Sequence, residues 1–247
     1  MSNLKSFSTA RNDGKISVSE EQGSRFAKEV AGDYNPIHDP GSSRFCVPGD
    51  LLFALTLDSL GLYNTMKFQF LGLVTGGAIL RFPHDVVNGE AFVTNERDRP
   101  VLGVEATGGM IDNAMNIDRM VSNYVAFSGQ NFLHILLPLM EQQSVMVNPE
   151  RPLVIYESMS FKLEDLEFKS LSLELNETTL EVNGKRGKAA LHFSFYDGEK
   201  KIGSGLKSLL LSGLREFDAQ AVKILVDDYE SNKEAGMAKL AGRKLTG

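Results

Sequence analysis

The chain has a single cysteine, Cys46, among its 247 residues. One thiol cannot form an internal disulfide bond and cannot supply a cysteine-rich zinc site. The histidines other than His38, which are His84, His134 and His192, show no metal-ligand spacing. We therefore expect no metal site. Because Cys46 lies between two apolar residues, the sequence favours a buried, inert thiol over a nucleophile.

Long apolar runs are also missing. No stretch approaches the roughly 18 apolar residues that a membrane-spanning helix needs. The segment Met1–Gly14 is polar and lacks the apolar centre of a secretory signal. We expect no membrane partner and a cytoplasmic location.

Basic residues are not in excess. The chain has 26 Lys and Arg against 32 Asp and Glu, a formal net charge of −6. Lysine and arginine are not concentrated with interleaved aromatic residues, so the sequence does not favour a nucleic-acid partner. A phosphorylated ligand stays compatible with this mild acidity, since a few local arginines could hold it. Hydrophobic residues make up 42% of the chain, enough for a sizeable core.

The segment Ala31–His38, which we call the Ala31–His38 loop, places a carboxylate, a carboxamide and an imidazole within six residues: Asp33, Asn35 and His38. The residues before it, Ile16–Val30, predict a helix with Ser17 or Ser19 as its N-cap. Gly32 is expected to end that helix, and Asn35-Pro36 prevents a new one from starting. We therefore predict a bent segment in which side chains can converge. Taken singly, each of these residues also fits a structural turn.

The remainder reads as two similar halves. In each, an apolar helix is followed by short segments broken by Gly, Pro, Asn and Asp, as in an antiparallel sheet. The predicted helices are Leu51–Leu62 and Phe132–Met140, with Ser128 as the cap of the second and Pro138 as a kink or break. The predicted strands are Phe68–Val74, Ala78–Phe82, Glu90–Thr94, Val101–Thr107, Asp118–Phe127, Leu153–Leu163, Leu171–Val182, Ala189–Tyr196 and Ile202–Leu211.

We accordingly expect an α+β protein in which two antiparallel sheets each wrap a buried helix. The first half would span residues 1–127 and carry the Ala31–His38 loop. The second half would span 128–213, and residues 214–247 would form a C-terminal amphipathic helix with a fraying tail beyond Gly236.

Phe26-Ala27 followed by the Ala31–His38 loop resembles the signature of MaoC-like (R)-specific enoyl-CoA hydratases. In that hot-dog-fold family, a small residue and Gly-Asp-x-Asn-Pro-x-His mark the catalytic loop. The resemblance covers roughly Ile16–Phe127. The second half resembles a further hot-dog unit without the motif, so the resemblance implies a double hot-dog.

The resemblance makes Asp33 and His38 the pair that holds and activates a water. Asn35 would orient the loop or help to bind that water, and the Gly49 amide would be the oxyanion donor for a thioester carbonyl. The chemistry fits these residue types, because hydration of an α,β-unsaturated thioester needs a base, an acid and charge stabilisation on the carbonyl oxygen. A helix N-terminus can supply the last of these.

Two departures from the family pattern lie between His38 and Gly49. The linker there is shorter than usual and contains Pro40-Gly41-Ser42-Ser43, and Pro48 stands where the family often has histidine or glutamine. Asp50 follows the expected oxyanion donor directly. An acidic residue in the first turn of a helix is ordinary stabilisation, but an ionised carboxylate beside a developing enolate would oppose it.

The resemblance implies a hydratase or dehydratase acting on a 2-enoyl thioester of CoA or acyl carrier protein. It implies no metal, nucleotide or redox cofactor. Two alternatives stay open on the same fold. One is an acyl-thioesterase, in which Asp33 alone activates water, and the other is a non-catalytic acyl-thioester-binding protein. A plain structural partner protein is a third possibility. Because a double hot-dog can act as a pseudo-dimer within one chain, a monomer and a homodimer are both compatible.

Overall fold

The computed structural model describes residues 4–11, 13–129, 132–150 and 152–245. Five α-helices and twelve strands are found in these parts of the chain. The helices are α1 (Glu20–Phe26), α2 (Gly49–Leu60), α3 (Ala114–Gly129), α4 (Leu137–Gln142) and α5 (Ala219–Leu245). The strands are β1 (Thr9–Ala10), β2 (Ile16–Ser17), β3 (Leu62–Phe70), β4 (Ile79–Arg81), β5 (Glu90–Asn95), β6 (Pro100–Ile111), β7 (Val145–Met146), β8 (Val154–Leu163), β9 (Leu171–Asn183), β10 (Arg186–Asp197), β11 (Lys200–Ser212) and β12 (Arg215–Glu216).

Ten of the strands form one antiparallel sheet in the order β1-β2-β4-β5-β6-β3-β8-β11-β10-β9. The strands of the first half lie on one side of this order and those of the second half on the other. The two sets meet where β3 pairs with β8, with Lys67 opposite Ser160. The two predicted sheets are therefore joined edge to edge, and the join leaves neither central strand exposed as an edge.

Helix α2 lies inside the curve of the first set of strands. Its sequence is apolar nearly all round, which predicts burial on every side. Nine of its twelve residues are buried. Phe53, which is fully buried, packs edge-on against Phe68 of β3 at a ring-centroid distance of 5.0 Å and lies 4.9 Å from the Tyr124 ring of α3. This buried helix wrapped by an antiparallel sheet confirms the predicted α+β hot-dog fold.

The second half differs from the prediction at its start. The segment Asp118–Phe127, predicted as a strand, lies within helix α3. Its β-branched and aromatic residues resemble a strand, but its buried apolar residues recur at helical spacing: Ile117, Met120, Val121, Tyr124 and Val125.

Ser128 is in the last turn of α3 and therefore does not cap a following helix. The predicted helix Phe132–Met140 is divided into a π-turn, Phe132–Leu136, and α4, whose first turn contains Pro138. The proposed division of the chain at residue 127 stays a prediction, and α3 runs across it.

Helix α5 continues to Leu245. The prediction that the helix gives way to a frayed tail beyond Gly236 is therefore wrong for the residues up to Leu245. Residues 246–247 lie outside the described residues, as do Met1–Asn3 of the polar N-terminal segment. Turns at Asn183-Gly184 and Asp197-Gly198 connect β9 to β10 and β10 to β11. Among the described helices, none is long and apolar enough to cross a membrane.

Replacement of Phe53 by alanine tests whether the buried α2 helix is the centre of stability. We expect Phe53→Ala to lower the free energy of unfolding by about 3–5 kcal/mol, because the ring is fully buried and its loss leaves a cavity. Phe92→Ala is the matched control, since Phe92 is 45% exposed and should change stability by about 1 kcal/mol or less. Urea unfolding followed by circular dichroism measures both; equal losses would contradict this view of the core.

Candidate active site

The Ala31–His38 loop is reached through a helix with defined ends. Ser19 is the N-cap of α1: its hydroxyl accepts from the Gln22 N–H at 3.2 Å, and the Gln22 side chain accepts from the Ser19 N–H at 2.9 Å. After α1, the chain forms a π-turn at Ala27–Ala31. Gly32 ends it with φ of 65°, a left-handed conformation that glycine adopts without strain. The helical end predicted at Gly32 is therefore present.

Within the loop, two side chains hold the backbone. One Asp33 oxygen, Oδ1, accepts from the Asn35 N–H at 2.9 Å. Asn35 Oδ1 in turn accepts from the Ile37 N–H at 3.1 Å and caps the short 3₁₀ turn Pro36–His38. These bonds place Asn35 in the loop scaffold and leave Asp33 Oδ2 available for other contacts.

Asp33 and His38 converge, as the sequence predicts. Asp33 Oδ2 lies 3.6 Å from His38 Nε2, and the two side chains are 27% and 12% exposed. His38 Nδ1 is 2.7 Å from the Cys46 carbonyl oxygen. Because a carbonyl oxygen can only accept, Nδ1 carries the proton, and in the neutral ring Nε2 has a free lone pair. A gap of 3.6 Å is too long for a strong direct hydrogen bond and leaves both atoms able to bind one water.

Gly49 is the first residue of α2 and follows Pro48. The first N–H groups of a helix have no carbonyl partner within it and carry a partial positive charge. Two aromatic rings lie close to this helix end: a Cβ on Gly49 would be 2.9 Å from Tyr156 Cδ1 and 3.0 Å from Phe70 Cε1. Only glycine fits there without displacing a ring.

A cavity of about 330 Å³ brings these groups together. Asp33, Asn35, His38 and Gly49 all line it, so all four residues predicted for the site face one space. Apolar side chains of the linker after β3 and of strands β8 and β11 form much of the remaining wall, among them Leu71, Leu73, Val74, Val154, Ile155 and Leu209.

The structure adds to the cavity three buried polar residues that are not among the four predicted site residues: Asp50, which the sequence places beside Gly49, and Ser128 and Lys207, which it does not connect with the site. Asp50 Oδ2 accepts from the Ser128 hydroxyl at 2.6 Å, and Lys207 Nζ donates to the same hydroxyl. Lys207 Nζ also lies 4.3 Å from the centroid of the Tyr156 ring, a cation–π arrangement. All of these residues line the cavity. The sequence feature that could have indicated this cluster is Lys207, a lysine within the apolar stretch of β11.

Burial of this cluster favours the neutral forms of its titratable groups. It raises the pKa of the Asp50 carboxyl above 3.8, against the opposing effects of the Lys207 ammonium and the Ser128 hydroxyl. Burial lowers the pKa of Lys207, against the pull of Asp50 and Asp33. Both groups are thus pushed towards their neutral forms. Burial also raises the pKa of Tyr124 and of Tyr156, whose hydroxyls are hydrogen-bonded to each other.

Helix α5 packs behind the Ala31–His38 loop. The Tyr34 N–H donates to the Tyr229 hydroxyl at 3.3 Å. Gly236 lies so close to the Tyr34 ring that a Cβ would be 2.2 Å from Cε1. Burial, followed by the charge of Asp33, raises the pKa of Tyr229 to about 12. The C-terminal helix therefore packs against the Ala31–His38 loop through Tyr229 and Gly236.

Comparison with known proteins gives one family. The model of the family described as "Protein of unknown function (DUF3581)" matches residues 2–220. The chain belongs to this family. Curated proteins give no match. Membership of the MaoC-like family stays a prediction.

Several solved structures are similar in fold to this DUF3581 protein. An acyl-CoA thioesterase II from Mycobacterium marinum is 8% identical, with 87% of this chain and 98% of that chain covered and a TM-score of 0.39. A conserved protein of unknown function with a hot-dog fold, from Alicyclobacillus acidocaldarius, is 6% identical over 86% and 98%, with a TM-score of 0.45. A MaoC-like dehydratase is 10% identical over 83% and 98%, with a TM-score of 0.38.

In the described residues, no group of three or more His, Cys, Asp and Glu side chains could hold a metal ion.

Cys46 is buried, and its Sγ lies 3.3 Å from the Val47 carbonyl oxygen. Burial raises the pKa of its thiol to about 11.

Thiol labelling tests this account of Cys46. Because only the thiolate reacts, we expect the native protein at pH 7 to react with Ellman's reagent at least about 100-fold more slowly than the urea-unfolded chain, whose thiol has a pKa near 8.5. The native rate should rise as the pH approaches 11. Rapid labelling at pH 7 under native conditions would show that Cys46 is exposed and activated.

Proposed function

We propose that this protein is a hydratase or dehydratase that adds or removes water across the double bond of a 2-enoyl thioester. The acyl group would be carried by CoA or an acyl carrier protein. The observation that carries the proposal is the paired geometry of Asp33 and His38: a carboxylate oxygen and an imidazole nitrogen 3.6 Å apart, with the ring fixed through Nδ1 by the Cys46 carbonyl.

In the hydration direction, a water between Asp33 Oδ2 and His38 Nε2 attacks the β-carbon of the enoyl group. One proton of the water passes to this pair, and the electrons of the double bond move towards the carbonyl oxygen. The Gly49 N–H at the start of α2 stabilises the oxygen charge. The α-carbon then takes a proton from the pair. The sum is addition of one water, and neither a metal nor a redox or nucleotide cofactor is required.

Two features of the cavity support this use. Its volume, about 330 Å³, is in the lower range of small-molecule sites. Its mixture of an apolar wall with a few polar groups near Gly49 suits an acyl chain that ends in a polar thioester. The alternatives stay those of the same fold: a thioesterase, in which a carboxylate activates water against the carbonyl carbon, and a non-catalytic acyl-thioester-binding protein.

The assay follows loss of the enoyl absorbance of crotonyl-CoA. We expect wild-type turnover, and we expect Asp33→Asn and His38→Ala each to lower kcat/KM by about 10²–10⁴-fold, because each removes one half of the proton-transfer pair. Asp58→Asn and His192→Ala are matched controls, since both side chains are exposed and lie outside the cavity.

Turnover that survives both Asp33→Asn and His38→Ala would falsify the assignment. Release of free thiol from butyryl-CoA, without hydration of crotonyl-CoA, would identify a thioesterase. Calorimetric binding of both thioesters with no product would identify a binding protein.

A further inference from the structure

Asp50 is a cavity residue that the proposed mechanism does not use. It is 9% exposed, and its Oδ1 is the one buried side-chain polar atom without a hydrogen-bond partner among the residues the structure describes. A buried polar atom of this kind is costly unless something binds it. Since Asp50 lines the cavity and directly follows Gly49, the missing partner is expected where the carbonyl end of a thioester would lie.

The other oxygen of Asp50 is fixed. Oδ2 accepts from Ser128, and the Ser128 hydroxyl accepts from Lys207, so each donor in this chain is matched to an acceptor. Ser128 lies at the end of α3 and Lys207 on β11. Two elements outside α2 therefore hold the carboxyl group in one orientation, with Oδ1 left over.

We propose that Asp50 is a second oxyanion donor: its neutral carboxyl group donates a hydrogen bond from Oδ1 to the thioester carbonyl oxygen, beside the Gly49 N–H. This inference rests on the proposed function, because it assigns a role in the same reaction. Asp50 touches the reacting thioester and is thus a catalytic residue, whereas Ser128 and Lys207 are positioning residues. The conflict between a carboxyl group at this position and a developing enolate is removed when the group is protonated.

Several titratable or charged groups face Asp50. They are Lys207 on β11, Tyr124 on α3, Tyr156 on β8, and Asp33 and His38 on the loop. Burial is the largest effect and raises the Asp50 pKa, and the negative charge of Asp33 raises it further. Lys207 and His38 oppose this rise. The donor form is present below the Asp50 pKa and is lost as the pH rises through it.

Two substitutions at Asp50 test whether its side chain acts as a hydrogen-bond donor or as a base. Asp50→Leu removes the donor and should lower kcat/KM for crotonyl-CoA by about 10²–10³-fold. Asp50→Asn keeps an N–H donor of similar size and should recover activity to within about tenfold of wild type. Asp58→Leu and Asp58→Asn, on the exposed side of the same helix, are the matched controls.

The pH dependence of activity distinguishes a hydrogen-bond donor from a residue with a purely structural role, because a purely structural role would not produce a fall in activity as Asp50 ionises. Wild-type activity should fall as Asp50 ionises, and in Asp50→Asn this alkaline fall should disappear. Lys207→Met removes the charge that favours the carboxylate, so the fall should move to higher pH. If Asp50→Asn is as inactive as Asp50→Leu, Asp50 acts as a base and the inference is overturned. The same holds if Lys207→Met abolishes the alkaline fall.

The pH dependence of the free energy of unfolding tests the protonation state of Asp50 independently of catalytic activity. An aspartate whose pKa is raised by folding loses stability as the pH rises from its unfolded value, about 3.9, through its folded value. The free energy of unfolding of Asp50→Asn, minus that of wild type, should therefore increase with pH over this range. Urea unfolding measures it. A difference that stays flat or decreases overturns the inference, whether or not the protein hydrates crotonyl-CoA. An increase with no turnover of crotonyl-CoA shows that Asp50 is protonated but overturns the proposed function, and the donor role with it.

Discussion

The burial of helix α2 is the constraint on which the rest of the site depends. Because the sheet and α3 cover this helix, its first turn opens into a cavity and not into bulk water. Unpaired N–H groups and any charge at that end are therefore weakly screened. This placement makes an ionised Asp50 unfavourable, because burial raises the pKa of its carboxyl group.

A close approach between α3 and the π-turn completes the site. A Cβ on Gly129 would lie 1.9 Å from the Ala31 carbonyl oxygen, so only glycine allows the end of α3 to contact the start of the Ala31–His38 loop. The neighbouring Ser128 is thereby brought to Asp50. The local bonds of Asp33 and Asn35 shape the loop, but this helix-to-turn contact determines where the loop sits relative to α2.

The local parts of this structure could be predicted from the sequence. Short-range rules predict the stop at Gly32, the buried α2 helix and the bend that brings Asp33 to His38. They leave the N-cap open between Ser17 and Ser19, and in the structure it is Ser19. Long-range partners could not be predicted. Ser128 forms its hydrogen bond with a residue 78 positions away, and nothing in the residues around it indicates that contact.

Helix α3 was missed for a different reason. Tyr124, Val121 and Val125 have strand-like side chains, and tertiary packing overrides that preference by burying them along one helical face. Lys207 gave a signal that could have been used, since a lysine that is 4% exposed within an apolar strand requires a buried partner.

The second half carries no copy of the Gly-Asp-x-Asn-Pro-x-His motif, yet it contributes to the same cavity. Tyr156 on β8 closes over Gly49, and Lys207 on β11 reaches Ser128. Pairing of β3 with β8 joins the two sets of strands and puts these side chains beside α2. The half without the motif is therefore a wall of the site, not a spare domain. Burial raises the pKa of the Asp50 carboxyl group, and the lysine of the second half opposes that rise, so the ionisation of a residue in the first half depends on a residue of the second.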